Sequence, residues 1–167
     1  MTANTKSVLL TGATGYVGRL LLPRLLEGGL AVRCLARDPS KLSVSSSARL
    51  EVAQGDVLDP QSLGKAMQGI DTAYYLVHLM AGDGAFEDQD RQAAKNFAQA
   101  AREAGVKRII YLGGLGDESS PNLSAHLRSR HEVGAILRES GVETIEFRAA
   151  MIVGVGSLSY QLLKSLT

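Results

Sequence analysis

An α/β fold built on one doubly wound parallel sheet of six strands is what these 167 residues predict. Short apolar runs alternate with longer amphipathic stretches from end to end, the pattern of right-handed β-α-β crossovers and hence of a parallel sheet. The first apolar run, Val8-Leu9-Leu10-Thr11, leads straight into glycines at 12, 15 and 18 and then into the amphipathic stretch Arg19 to Glu27. Six strand segments can be read, as many as two three-stranded halves in the order 3-2-1-4-5-6 require.

Ser7–Thr11 is the first expected strand and Gly15–Glu27 the first helix, with Val17, Leu20, Leu21 and Leu25 as its apolar face. Pro23 falls inside that helix and is expected to kink it or to remove one hydrogen bond locally. Gly28-Gly29 ends it, and Leu30–Ala36 is the second strand. Ser43–Ser47 reads as a surface loop before a short third strand, Arg49–Ala53. After the Gly55-Asp56 turn come a helix at Pro60–Met67 and the fourth strand, Thr72–Val77. Glu87–Glu103 is a long helix whose inner side is Ala93, Ala94, Phe97, Ala100 and Ala101. Gly105 stops it ahead of the fifth strand, Arg108–Leu112. Ser124 is placed to cap the helix Ala125–Glu139, and the sixth strand is Glu143–Arg148.

Composition narrows the function classes. An apolar fraction of 45% and a charged fraction of 21% are those of an ordinary globule, and a net charge of +1 without a basic stripe gives no footing for nucleic acid or a membrane surface. There is no signal-peptide pattern and no apolar run of membrane-spanning length, so the expected location is cytoplasmic. The single cysteine, Cys34, lies in an apolar run and reads as a buried thiol; one cysteine and three scattered histidines give no metal cluster.

The glycine-punctuated turn is the strongest local signal. Gly12 permits a sharp exit from the strand, Gly15 lets backbone approach an anion closely, and Gly18 lets the helix pack on the sheet. The helix start then offers unpaired N–H groups and the positive end of its dipole to a pyrophosphate.

Five segments in this order resemble the atypical short-chain dehydrogenase/reductases, the NmrA-like or NAD(P)H-binding proteins. They are Thr11-Gly12-Ala13-Thr14-Gly15-Tyr16-Val17-Gly18, Arg37-Asp38-Pro39-Ser40-Lys41-Leu42, Gly55-Asp56-Val57, Gly105 to Leu112, and Ser140 to Arg148. The resemblance covers essentially the whole chain and implies a Rossmann fold. It also implies that Gly12, Thr14, Gly15, Tyr16, Val17 and Gly18 bind the cofactor pyrophosphate and that Asp56 and Val57 touch adenine. Leu76, Val77 and His78 would line the ribose and nicotinamide side.

Where NAD binders place a carboxylate at the end of the second strand, this chain has Arg37. A guanidinium there can fork onto a 2′-phosphate, with Lys41 adding charge, which favours NADP over NAD. Asp38 is the opposing signal, since turned inward it would accept from ribose hydroxyls. The catalytic half departs from the family. The resemblance implies a tyrosine, a lysine four residues later and a serine after the fifth strand; those positions hold His126, Arg130 and, within Leu112-Gly113-Gly114-Leu115, glycine. His126 titrates in the range of a proton donor, whereas Arg130 can hold ribose but cannot exchange protons. Ser119, Ser120 and Ser124 in the intervening loop read as turn and cap residues. Tyr160 and Lys164 repeat the tyrosine–lysine spacing, but beyond the sixth strand.

Residues 1–150 therefore read as the cofactor domain and 151–167 as the start of a substrate-walling region that relatives carry further. Either the chain is cut short there, or its apolar tail (Leu158, Leu162, Leu163, Leu166) packs on a partner, in which case homo-oligomerisation through that end is expected. Two functions stand at this point: an NADP-dependent oxidoreductase acting on an unidentified small molecule, or a non-catalytic NADP(H)-binding redox sensor or accessory subunit.

Overall fold

The computed structural model describes residues 6–42, 47–79, 86–117, 120 and 122–165. Six strands, β1 (Ser7–Thr11), β2 (Ala31–Ala36), β3 (Leu50–Gln54), β4 (Thr72–Tyr75), β5 (Arg108–Gly114) and β6 (Glu143–Ala149), form one sheet in the order β3-β2-β1-β4-β5-β6. Every neighbouring pair is parallel. Five helices connect and follow them: α1 (Tyr16–Glu27), α2 (Pro60–Ala66), α3 (Phe86–Glu103), α4 (Ala125–Arg138) and α5 (Leu158–Ser165). A single 3₁₀ turn, Pro39–Lys41, follows β2. Of the expected Ser43–Ser47 loop, residues 43–46 lie outside the described residues, as does Ser119.

Alternation along the strands splits the core in two. Val8 and Leu10 of β1 point to the face covered by α1, where they meet Leu22, Leu25, Val32 and Cys34. Leu9 points to the other face, into a larger cluster with Tyr75, Phe97, Ile109, Tyr111 and Leu137. The alanine face of α3 is buried there as expected, its small side chains admitting the edge-to-face pair of Tyr75 and Phe97 at 4.8 Å. Cys34 is fully buried, and burial pushes its thiol up to about 12.

Three expectations change. In α1 the buried stripe is Gly18, Leu22 and Leu25, whereas Leu20 is 58% exposed: three successive leucines leave the phase of the apolar face open, and packing on β1 selects Leu22. The helix runs unbroken across Pro23, because Pro23 and Arg19 both lie on the solvent side and water can take the carbonyl that loses its donor. Strand β4 stops at Tyr75 rather than Val77. The Leu76 N–H turns to the Thr11 hydroxyl at 3.4 Å, which itself donates to the Tyr74 carbonyl at 2.9 Å, so residues 76–79 peel away from the sheet beside the end of β1.

Candidate functional site

Two clefts adjoin at the carboxyl ends of the strands, on either side of the point where the order reverses between β1 and β4, and share Gly15, Leu76 and His78. The first, of about 200 Å³, runs from the β1–α1 turn across the ends of β2 and β3. Of the sequence-derived cofactor residues it gathers Gly12, Thr14, Gly15, Arg37, Asp56, Val57, Leu76, Val77 and His78. Leu35, Ala36, Gly55 and Leu79 also line it and were not foreseen.

The turn is built by exclusion of side chains. Gly12 has φ +74°, and a Cβ on it would lie 2.7 Å from the Leu76 carbonyl oxygen. A Cβ on Gly18 would lie 2.2 Å from the Gly12 carbonyl oxygen, so Gly18 does not line the cleft but seats α1 against the turn. The α1 N-terminus begins at Gly15, which offers no side-chain cap, and its first turn holds no acidic residue. Its leading N–H groups and positive dipole end are left to an anion. These residues fit a dinucleotide pyrophosphate: a narrow backbone cradle, a bare helix start, and no acidic side chain in the first turn of α1 to repel the phosphates.

At the far end of this cleft Arg37 is exposed, and among the described residues its guanidinium makes no hydrogen bond or ion pair. Asp38 does not turn inward. Its carboxylate accepts from the Ser40 hydroxyl at 2.6 Å and the Ser40 N–H at 3.1 Å, capping the 3₁₀ turn, and pairs with Lys41 at 3.6 Å. These Ser40 bonds, more than Lys41, hold it below the usual carboxylate range. Lys41 is correspondingly drawn to Asp38 and does not line the cleft. On the opposite wall Asp56 accepts from the Leu58 N–H at 2.9 Å, and the buried Asn96 of α3 donates to the Val57 and Leu58 carbonyls, both at 3.2 Å. Sequence reading gave no sign that this α3 side chain braces the turn after β3.

The second cleft, of about 490 Å³, lies between the α1 start, the β5 end, α4 and the segment after β6. Tyr16 and Val17 line this cleft rather than the first, and Tyr16 packs on the segment beyond β6 so tightly that a Cβ on Gly154 would meet its hydroxyl at 2.1 Å. His126 and Arg130 both line it, one turn apart on α4, with the Ser124 hydroxyl capping the helix at the Leu127 N–H. Arg130 reaches two imidazoles: its Nη1 meets Nε2 of His78, and its Nη2 lies 3.3 Å from Nε2 of His126. A guanidinium only donates, so both ring nitrogens accept and each neutral imidazole keeps its proton on Nδ1. Burial, then the charges of Arg130 and His126, push His78 down to about 2; burial and Arg130 also lower His126.

The glycines that end β5 lie under side-chain ends. A Cβ on Gly114 would lie 2.7 Å from Leu127 Cδ2, and one on Gly113 2.6 Å from Glu146 Oε1, so a serine at either position requires that side chain to shift. Tyr75 and Tyr111, behind the cleft, do not take over. Tyr111 donates to the Arg130 carbonyl at 2.9 Å, and burial pushes the hydroxyls of Tyr75 and Tyr111 well above their usual range. Tyr160 and Lys164 lie on α5 and line neither cleft. Among the described residues no group of histidine, cysteine and carboxylate side chains is arranged to hold a metal ion, and no helix is long and apolar enough to cross a membrane.

Comparison with known proteins agrees with this geometry. The sequence model of the NAD(P)H-binding family matches residues 12–157. A Streptomyces griseus (4-alkanoyl-5-oxo-2,5-dihydrofuran-3-yl)methyl phosphate reductase is 36% identical over 135 residues, covering 81% of this chain and 44% of the relative. Triphenylmethane reductase of Citrobacter sp., solved with NADP(H), superposes with a TM-score of 0.74 at 27% identity, over 88% of this chain and 50% of that one. The NADPH-dependent quinone oxidoreductase of Escherichia coli, solved with NADPH, gives 0.70 at 26% identity, over 84% and 48%. The chain thus spans about half the length of these relatives. With the family match covering most of its length and the cradle in place, the chain belongs to the NAD(P)H-binding family of atypical short-chain dehydrogenase/reductase type.

Proposed function

We propose that this chain is the cofactor-holding part of an NADP(H)-dependent reductase acting on a small organic molecule in the second cleft. The observation that carries the NADP preference is at the end of β2. Arg37 lines the cleft where an NAD-selective site needs a carboxylate, and the acid next to it, Asp38, is committed to Ser40 and Lys41. A 2′-phosphate would be gripped by the Arg37 fork, while Lys41, paired with Asp38, serves to keep that acid away from the cofactor.

In this reading Gly12, Thr14, Gly15 and the α1 start hold the pyrophosphate, while Asp56 and Val57 wall the adenine. Leu76, Val77 and His78 border the nicotinamide end, with Tyr16 and Val17 turned toward the substrate side. Bound there, a reduced nicotinamide supplies hydride. His126 and Arg130 occupy the substrate cleft beside His78, and Arg130 supplies fixed positive charge. Met151, Ile152, Ser157 and Ser159 line this same cleft, which supports residues 1–150 as the cofactor domain and 151–167 as the first part of the substrate wall. The leucines on which self-association through α5 was expected, at 158, 162, 163 and 166, have side chains outside the described set.

Calorimetric titration of wild type and Arg37→Ala with NADPH and NADH tests the reading. The wild type is expected to prefer NADPH. Loss of charge-assisted bonds worth about 1.5–3 kcal/mol lowers NADPH affinity in the variant by roughly ten- to a hundredfold and leaves NADH unchanged. Equal preference in both proteins removes Arg37 from the site. Failure of the wild type to bind either coenzyme overturns the reading altogether.

A further inference from the structure

Arg130 is set apart from the arginines around it. On the same pair of helices Arg91 is bridged to Glu132, Arg128 to Glu87 and Arg138 to Glu146. Arg130 is half-buried, yet among the described residues it forms no ion pair with a carboxylate. On the footing that the second cleft is the substrate side of a nicotinamide-dependent site, we propose that Arg130 is a carboxylate receptor. The molecules reduced there are then organic acids, bound through their carboxylate.

A guanidinium drawn out of water without a counter-ion is held at a cost that a bound anion relieves. Burial accordingly pulls Arg130 below the usual arginine range. Asp90 of α3 is the acid that faces it, but that carboxylate is buried and committed elsewhere. It accepts from the Ser129 hydroxyl at 2.8 Å and from the Leu79 N–H at 3.0 Å. No acidic side chain lines the cleft itself.

The fork is also fixed in orientation. Its Nη1 meets Nε2 of His78 and its Nη2 lies 3.3 Å from Nε2 of His126, so an imidazole holds each end of the guanidinium. Those two contacts leave three of the five N–H donors for a ligand. A planar fork held in this way suits a carboxylate, which takes two parallel bonds from it.

Charge favours a carboxylate over a larger anion. Arg130 is the one arginine or lysine on the lining of the cleft, and both imidazoles accept from it as neutral rings. One fixed positive charge balances a monoanion, whereas a phosphate monoester carries about −1.5 to −2 near neutrality. Leu76, Leu112, Met151 and Ile152 give the cleft apolar surface for the body of the acid. His78 lines both clefts, so an acid held at Arg130 is anchored next to the nicotinamide end of the site.

Benzoate, benzamide and phenyl phosphate test the receptor, since they share one ring and differ in charge. Each is titrated into ¹⁵N-labelled wild type, Arg130→Lys and Arg130→Gln, with and without saturating NADP. The amides of Gly113, Gly114 and Ala149 report on the second cleft and that of Gly12 on the first. Wild type should bind benzoate at least about tenfold more tightly than benzamide, the margin of one charge-assisted bond, and no less tightly than phenyl phosphate. The shifts should fall at 113, 114 and 149. Lysine keeps part of the preference, glutamine abolishes it, and NADP leaves benzoate in place. A smaller preference, one that survives in Arg130→Gln, tighter binding of phenyl phosphate, shifts confined to Gly12, or release of benzoate by NADP overturns the proposal. NADP titration of the same samples separates the two levels. Coenzyme bound without a benzoate preference sinks the carboxylate receptor alone, whereas no coenzyme bound sinks the reductase reading and this substrate class with it.

Discussion

Acid should destabilise this protein through His78, and the size of the effect follows from the burial of that side chain. In the unfolded chain His78 titrates at its ordinary 6.5; in the fold it is driven down to about 2, first by burial and then by the charges of Arg130 and His126. Below pH 6.5 the unfolded state therefore binds a proton that the native state refuses. Stability contributed by the neutral ring is complete above the unfolded value and is lost as pH falls. Between pH 7 and pH 5 the loss is about 1.9 kcal/mol for this one residue, a large share of the ~5–15 kcal/mol that holds a domain of this size together. Urea unfolding of wild type and His78→Gln at pH 7, 6 and 5 measures it. The wild type should lose about 1.9 kcal/mol more than the variant over that interval, His126 contributing to both alike. Parallel pH profiles for the two proteins would show that His78 protonates freely in the fold, and the neutral acceptor role assigned to it beside Arg130 would be wrong.

Two further substitutions test the packing that shapes the clefts. Gly18→Ala places a methyl 2.2 Å from the Gly12 carbonyl oxygen and 2.7 Å from the Ala13 Cα, both backbone atoms, so the cost should reach or exceed the ~1–3 kcal/mol of ordinary overpacking. Urea midpoint and NADPH affinity should fall together; unchanged binding would show that α1 does not need its present seat. Gly114→Ser needs only the end of Leu127 to move, so it should lower stability by no more than the ~1–3 kcal/mol of ordinary overpacking. A larger loss in urea unfolding would mean that Leu127 cannot give way.

Much of this was legible locally. Strand β1 begins and ends where its apolar run does, and the glycine turn, Arg37 and the Ser124 cap announce themselves within a few residues. What sequence reading missed depends on partners far along the chain. The apolar run at Thr72–Val77 does not show that Leu76 leaves the ladder, because that is decided by the Thr11 hydroxyl. The inner side of α3 read from the sequence holds only Ala93, Ala94, Phe97, Ala100 and Ala101, yet Asp90 and Asn96 are buried too, where they serve backbone groups of Leu79, Val57 and Leu58. His78 and Arg130 stand 52 residues apart, and only the parallel pairing of β4 with β5 and the packing of α4 bring them into one cleft. The departures at 126, 130 and 114 were visible as letters. That they form a cationic cleft with no carboxylate on its walls was not.

The backbone amides at the start of α1 offer the most direct measurement. In a ¹⁵N-labelled sample titrated with NADPH, the amide resonances of Gly15, Tyr16, Val17 and Gly18 should shift by far more than those of the solvent face of α3, saturating with the calorimetric affinity. Resonances at 15–18 that stay in place while coenzyme binds would mean that the pyrophosphate lies elsewhere and that the cradle described above holds nothing.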